Sequence, residues 1–121
     1  MRKKQTNNRM VRINDEIMRE SANIIRSSLK DPRISMITTV IKVDTTSDLK
    51  YSKIYVSIMG EKEEKEQALE SLKNAAGFIR KQLASNINLR NTPELKFILD
   101  ESLDHSIRIN TLLKDINSRE D

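Results

Sequence analysis

The 121-residue chain has no cysteine, no tryptophan, one histidine, two glycines, two prolines and four aromatic residues. Each shortage removes a class of function. Without cysteine there is no disulfide, no thiolate nucleophile and no cysteine-based zinc site, and a cytoplasmic location is expected. The single histidine, His105, has no His or Cys partner at a metal-ligand spacing, and it reads as a surface residue near the start of the last helix. Two glycines, Gly60 and Gly77, cannot build a Walker loop, a dinucleotide fingerprint or the Gly-x-x-Gly clamp of an ordinary KH domain, because they stand 17 positions apart. The aromatics Tyr51, Tyr55, Phe78 and Phe97 do not form the paired strand motif that stacks bases in an RRM. No apolar run reaches 18 residues, so no transmembrane helix is expected. The basic start, Met1-Arg2-Lys3-Lys4, is followed by no apolar segment and does not read as a secretory signal. The carboxylates Asp44, Asp48, Asp100, Glu101 and Asp104 lack EF-hand spacing and are better explained by turns and caps. No cofactor, metal or catalytic residue is expected.

What is present is positive charge in blocks. The net charge is +4, yet residues 1–33 carry nine Lys/Arg against four Asp/Glu, and residues 73–96 carry five against one. Residues 61–72 and 97–121 are net acidic. Basic residues grouped in this way suit a polyanion, but on charge alone a mixed solvated surface describes them better. Without a stacking motif, any RNA recognition should rest on phosphates and shape.

The chain length suits one domain. Residues 1–8 read as a flexible basic arm, and Asn8 as the cap of a helix from Arg9 to Leu29 whose stripe includes Ile13, Ile17, Ile24 and Ile25. Asp31-Pro32 stops it. The β-branched run Met36–Val43 predicts a strand, Asp44–Asp48 a turn, and Tyr51–Met59 a second strand. Glutamates after Gly60 open a long helix in which Leu69, Leu72, Ala76, Ile79 and Leu83 share a face. Ala75-Ala76-Gly77 interrupts that helix. Small residues there permit a bend or a close backbone approach. Leu95, Phe97 and Leu99 alternate as a third strand, a helix is expected from Ser102 to Ile116, and residues 117–121 read as a frayed tail. The single domain therefore spans 9–116.

Lys73 precedes the break, and Arg80, Lys81 and Arg90 follow it. Lys30 and Arg33 flank the Asp-Pro stop. With Asn74 and Ala75 at the break itself, these eight residues are the candidate RNA-binding set.

Several strings converge in order and spacing: Lys30-Asp31-Pro32-Arg33-Ile34, Thr38-Thr39-Val40, Asp48–Ser57, Ala75-Ala76-Gly77-Phe78-Ile79-Arg80, Leu89–Phe97 and Asp100-Glu101-Ser102. Together, from Arg9 to Leu113, they resemble the ribosome-binding factor A family. The resemblance implies an α+β, type II KH-like fold, α-β-β-α-α-β, with a kinked helix pair in place of the Gly-x-x-Gly loop and a helix after the last strand. The family's interhelical alanine falls on Ala75. The resemblance further implies a non-enzymatic, cytoplasmic, monomeric assembly factor that binds the free small (30S) ribosomal subunit. Such a factor assists late maturation of 16S rRNA, including its 5′ region, and takes part in cold adaptation. No membrane or small-molecule partner is expected. Two alternatives stand beside it: a ribosome-associated protein-interaction adaptor with incidental RNA contact, and a small hydrolase or nuclease, for which no base, metal cluster or pocket motif is found.

Overall fold

The computed structural model describes residues 2–101, with side chains from Asn8 onward. The elements in chain order are α1 (Arg2–Ser28), α2 (Pro32–Ile37), β1 (Thr38–Thr45), β2 (Tyr51–Ile58), α3 (Lys62–Asn74), α4 (Ala76–Asn86) and β3 (Glu94–Leu99). The expected helix over Ser102–Ile116, the tail beyond it and His105 lie outside the described residues.

Two local expectations are corrected. The first helix begins at Arg2, so residues expected as a flexible arm continue α1, and Asn8 lies inside the helix instead of capping it. Arg, Lys and Gln are good helix formers, and no Gly or Pro precedes Pro32 to interrupt them. The Asp-Pro pair ends one helix and starts another. Asp31 caps α2, its Oδ1 accepting from the Arg33 backbone N–H at 3.0 Å, and Pro32 occupies the first turn. Met36 and Ile37 are therefore helical, and β1 begins at Thr38.

The sheet order is β1-β2-β3. β1 and β2 are antiparallel from Thr38 opposite Ile58 to Thr45 opposite Ser52, with a register shift between Val40 and Lys42. β3 runs parallel to β2, from Glu94 beside Tyr51 to Leu99 beside Val56. A parallel neighbour requires a crossover, and α3 and α4 supply it. Helices pack on one sheet face. Ile17, Ile24, Leu72, Ile79 and Leu83 meet Ile54, Val56, Ile58 and Phe97, all fully or nearly fully buried. Burying one such side chain contributes about 1.5–3 kcal/mol.

Connections are fixed by side-chain and backbone bonds. Asp48 Oδ1 accepts from Thr46 Oγ1 at 2.6 Å and from Lys50 N at 3.0 Å, and Leu49 adopts φ 61° in that turn. Gly60 has φ 125°, and a Cβ there would lie 3.1 Å from the Glu64 Cβ. That φ favours glycine, and a Cβ would in addition need the Glu64 side chain to shift by a few tenths of an ångström. Glu64 in turn accepts from the Glu61 N–H at 3.1 Å and satisfies one of the free donors at the start of α3.

Candidate nucleic-acid interface

The break in the long helix falls at Ala75, whose φ −88° and ψ −2° separate α3 from α4. Its N–H donates to the carbonyls of Ser71 (3.0 Å) and Leu72 (3.1 Å), and its own carbonyl accepts from Ile79 N–H at 2.9 Å. That N–H is therefore occupied, not presented to a ligand. Ala75 and Ala76 are half-buried against the core. Gly77 is exposed, and a Cβ there would meet nothing within 4 Å. The alanines at the junction, not the glycine, are packed against the core.

Beside the junction lies a groove of about 530 Å³, lined by Leu29, Lys30, Ile34, Asn74, Ala75 and Phe78 among others. The connection between α1 and α2 forms one wall and the α3–α4 junction the other. Phe78 is 43% exposed. Ile79 and Leu83 take the buried face of α4, and the residue immediately before Ile79 is turned about 100° away from it. The groove thus offers an aromatic edge, an amide and an ammonium.

The eight candidate residues do not form one patch. Lys30, Asn74 and Ala75 share the junction groove, and Lys73 is exposed on the last turn of α3. Arg80 and Lys81 line a separate hollow of about 430 Å³ with Gly77, Asn91 and Thr92. There Arg80 donates through Nε (3.2 Å) and Nη2 (2.9 Å) to the Thr92 carbonyl and ties α4 to the segment before β3. Arg90 lies in a third hollow. Arg33 forms a surface ion pair with Asp31 at 3.2 Å, and it lines a fourth groove, of about 780 Å³, with Glu63, Glu64, Glu66 and Glu70. The hydrogen bond from Arg33, with its backbone N–H and its charge, holds the Asp31 carboxyl below the usual carboxylate range. Exposed Lys30, Lys73, Lys81 and Arg90 make no ion pair among the described residues.

Sequence reasoning passed over Phe78, which lines the junction groove, and Arg9 and Arg12, which line the hollow that holds Arg90. For Phe78 the available signal was its position out of phase with Leu72, Ile79 and Leu83. For the arginines it was their three-residue spacing on one helix. Among the described residues no group of three or more His, Cys, Asp or Glu could hold a metal ion, and no helix is long and apolar enough to cross a membrane.

The class these features define is a small α+β domain whose broken helix borders a groove lined by both Lys30 and Asp31, with further basic residues in separate hollows. Its relatives fall in one family. The model of the family described as Ribosome-binding factor A matches residues 9–113. The ribosome-binding factor A of Agathobacter rectalis is 45% identical over 123 residues and is covered in full, as is this chain. The crystal structure of ribosome-binding factor A from Thermus thermophilus superposes with a TM-score of 0.66 at 28% identity, covering 74% of this chain and 94% of that one. A Thermus thermophilus ribosome binding factor A homology model, as fitted into the cryo-EM map of its complex with 30S, matches with a TM-score of 0.61 at 28% identity, over 73% and 91%. The chain belongs to the ribosome-binding factor A family.

Proposed function

We propose that the protein is a non-enzymatic assembly factor that binds the free 30S subunit, contacts 16S rRNA and assists its late maturation, including that of the 5′ region. On this reading it acts as a monomer in the cytoplasm and takes part in adaptation to cold. The observation that carries the binding mode is the junction groove, where Lys30, Asn74 and the exposed Phe78 meet around Ala75. Family membership supplies the partner: the fitted Thermus thermophilus relative is described in complex with 30S. We read the fold as a KH-like platform in which a helix–alanine–helix element at the α3–α4 junction takes the place of the glycine loop. Lys30 and Lys73 are the phosphate contacts, and Asn74 is a neutral donor between them. Arg80 acts by holding Thr92, and Lys81 extends the basic surface along α4.

Co-sedimentation tests the reading. The protein should travel with free small subunits and less with large subunits or full ribosomes; equal association with all three refutes it.

One observation favours the adaptor reading, the groove lined by Glu63, Glu64, Glu66 and Glu70. Salt separates the two. Binding of naked rRNA through phosphates weakens steeply as salt rises, because each neutralised phosphate releases counterion. An adaptor with incidental RNA contact binds naked rRNA only weakly even at low salt, and its 30S binding survives the same salt series.

A further inference from the structure

Arg90 belongs with two arginines that lie far from it in sequence. A hollow of about 540 Å³ opens between the N-terminal half of α1 and the segment joining α4 to β3, and Arg9, Arg12 and Arg90 all line it. Arg9 and Arg12 stand three residues apart on α1, a spacing that puts both side chains on one helix face. All three are exposed and none makes an ion pair among the described residues. Glu16 is the one acidic residue in the lining, so the hollow is net positive.

The wall that carries Arg90 is braced. Asn91 Nδ2 donates to the Leu49 carbonyl at 2.9 Å, Ile87 and Pro93 are buried on either side, and Arg80 holds Thr92. Leu49 is itself buried and held with φ 61° in the β1–β2 turn. Two neutral amides, Asn8 and Asn88, add donors at the rim. A fixed wall and a rigid helix present three guanidinium groups, each able to engage two phosphate oxygens at once. Fixing the groups beforehand lowers the ordering cost of binding.

We propose that this hollow is a second RNA-backbone site, physically separate from the junction groove, that grips consecutive phosphates of the same rRNA. The inference rests on the RNA-binding reading of the protein. The two sites are set apart by α1: Arg12 and Ser28, a groove residue, are sixteen residues apart on that helix, about 24 Å at its rise per residue. An RNA bound at both must span that length, so a short oligonucleotide fills one site alone.

The test compares two variants of the full chain, Arg9→Gln/Arg12→Gln/Arg90→Gln and Lys30→Gln/Lys73→Gln. Each is measured on isolated 30S subunits and on deproteinised 16S rRNA across a salt series, with circular dichroism melts as the folding control. The arginine variant should bind both ligands at least about tenfold more weakly. Its slope of log K against log salt should fall by about two to three, since each phosphate contact contributes about 0.7–0.9. The lysine variant should weaken binding independently. Unchanged binding and slope for the arginine variant, with the lysine variant impaired, overturn the second site and leave the junction groove standing. Weakened 30S binding with unchanged rRNA binding makes the occupant an acidic protein and overturns the proposal. Failure of both variants to alter binding overturns the RNA reading itself. Should the triple variant melt below the assay temperature, Arg12→Gln alone must still lower the slope by about one; an unchanged slope refutes the site.

Discussion

Two substitutions two residues apart should act in opposite directions. Gly77 lies in the first turn of α4, in ordinary helical conformation, with open space where a Cβ would stand. Gly77→Ala therefore gains helix propensity and narrows the unfolded ensemble, worth up to about 1 kcal/mol. For a domain of this size that raises the Tm by up to about 4–8 °C. Ala75 is different. It is half-buried against the core at the α3–α4 junction and also lines the groove with Leu29 and Phe78. Ala75→Leu adds three carbons there. Overpacking typically costs about 1–3 kcal/mol, and the open side toward the groove brings the expected cost to the low end, about 1 kcal/mol and a Tm drop of about 4–8 °C. On the proposed reading the added side chain occupies the binding groove, so 30S binding should fall with stability, whereas Gly77→Ala should leave binding intact. Thermal melting and sedimentation with free 30S subunits measure both quantities. A wild-type Tm and wild-type binding for Ala75→Leu would show that the junction has no role. A destabilised Gly77→Ala would refute the assignment of the bend to Ala75.

Gly60→Ala should destabilise by about 1–3 kcal/mol in a denaturant titration, because φ 125° is strained for a side chain and the new Cβ meets the Glu64 Cβ at 3.1 Å. Asn14→Ala should cost about 1–2 kcal/mol in the same assay, because Asn14 Oδ1 accepts the Thr45 N–H at 3.0 Å and links α1 to β1. Asp48 is held below its ordinary pKa of 3.8 by the Thr46 hydroxyl and the Lys50 N–H. A carboxylate lowered in the folded state contributes stability that is present above pH 3.8 and lost as pH falls through its depressed value. The gap in Tm between wild type and Asp48→Ala should accordingly be full at pH 6 and shrink below pH 4 in melts across that range; a gap independent of pH refutes the assignment.

Most of the architecture was legible because periodicity reports burial directly. The alternation of Ile54, Val56 and Ile58 and of Leu95, Phe97 and Leu99 located β2 and β3. The short α2 was hidden because Met36 and Ile37 continue a β-branched run, and Pro32 serves as readily to start a helix as to stop one. The small-residue triplet marked the break, but propensity ranks glycine as the weak point, and only the packing distinguishes half-buried Ala75 from exposed Gly77. Charge blocks identified basic residues without their grouping. Arg80 and Arg90 are ten residues apart and line different hollows, whereas Arg90 and Arg9 share one, because grouping depends on tertiary contact between α1 and the segment before β3.

The placement of acid matters as much as that of base. Asp31, Ile34 and Ser71 line both the junction groove and the groove that carries Glu63, Glu64, Glu66 and Glu70, so the two share a border. Along that border Arg33 pairs with Asp31, the carboxylate next to Lys30 in the chain, and partly offsets its repulsion of a phosphate. Beyond the border the glutamates are unfavourable to a polyanion. Like charges opposed across an interface select against the wrong register. On the proposed reading, a strand seated at Lys30 and Asn74 is therefore turned away from the start of α3. The hollows available to it are the one beside Lys81 and the one that Arg9, Arg12 and Arg90 line. On that reading, an acidic wall on one side of the junction and basic hollows elsewhere would set a direction on RNA that the net charge of +4 does not specify.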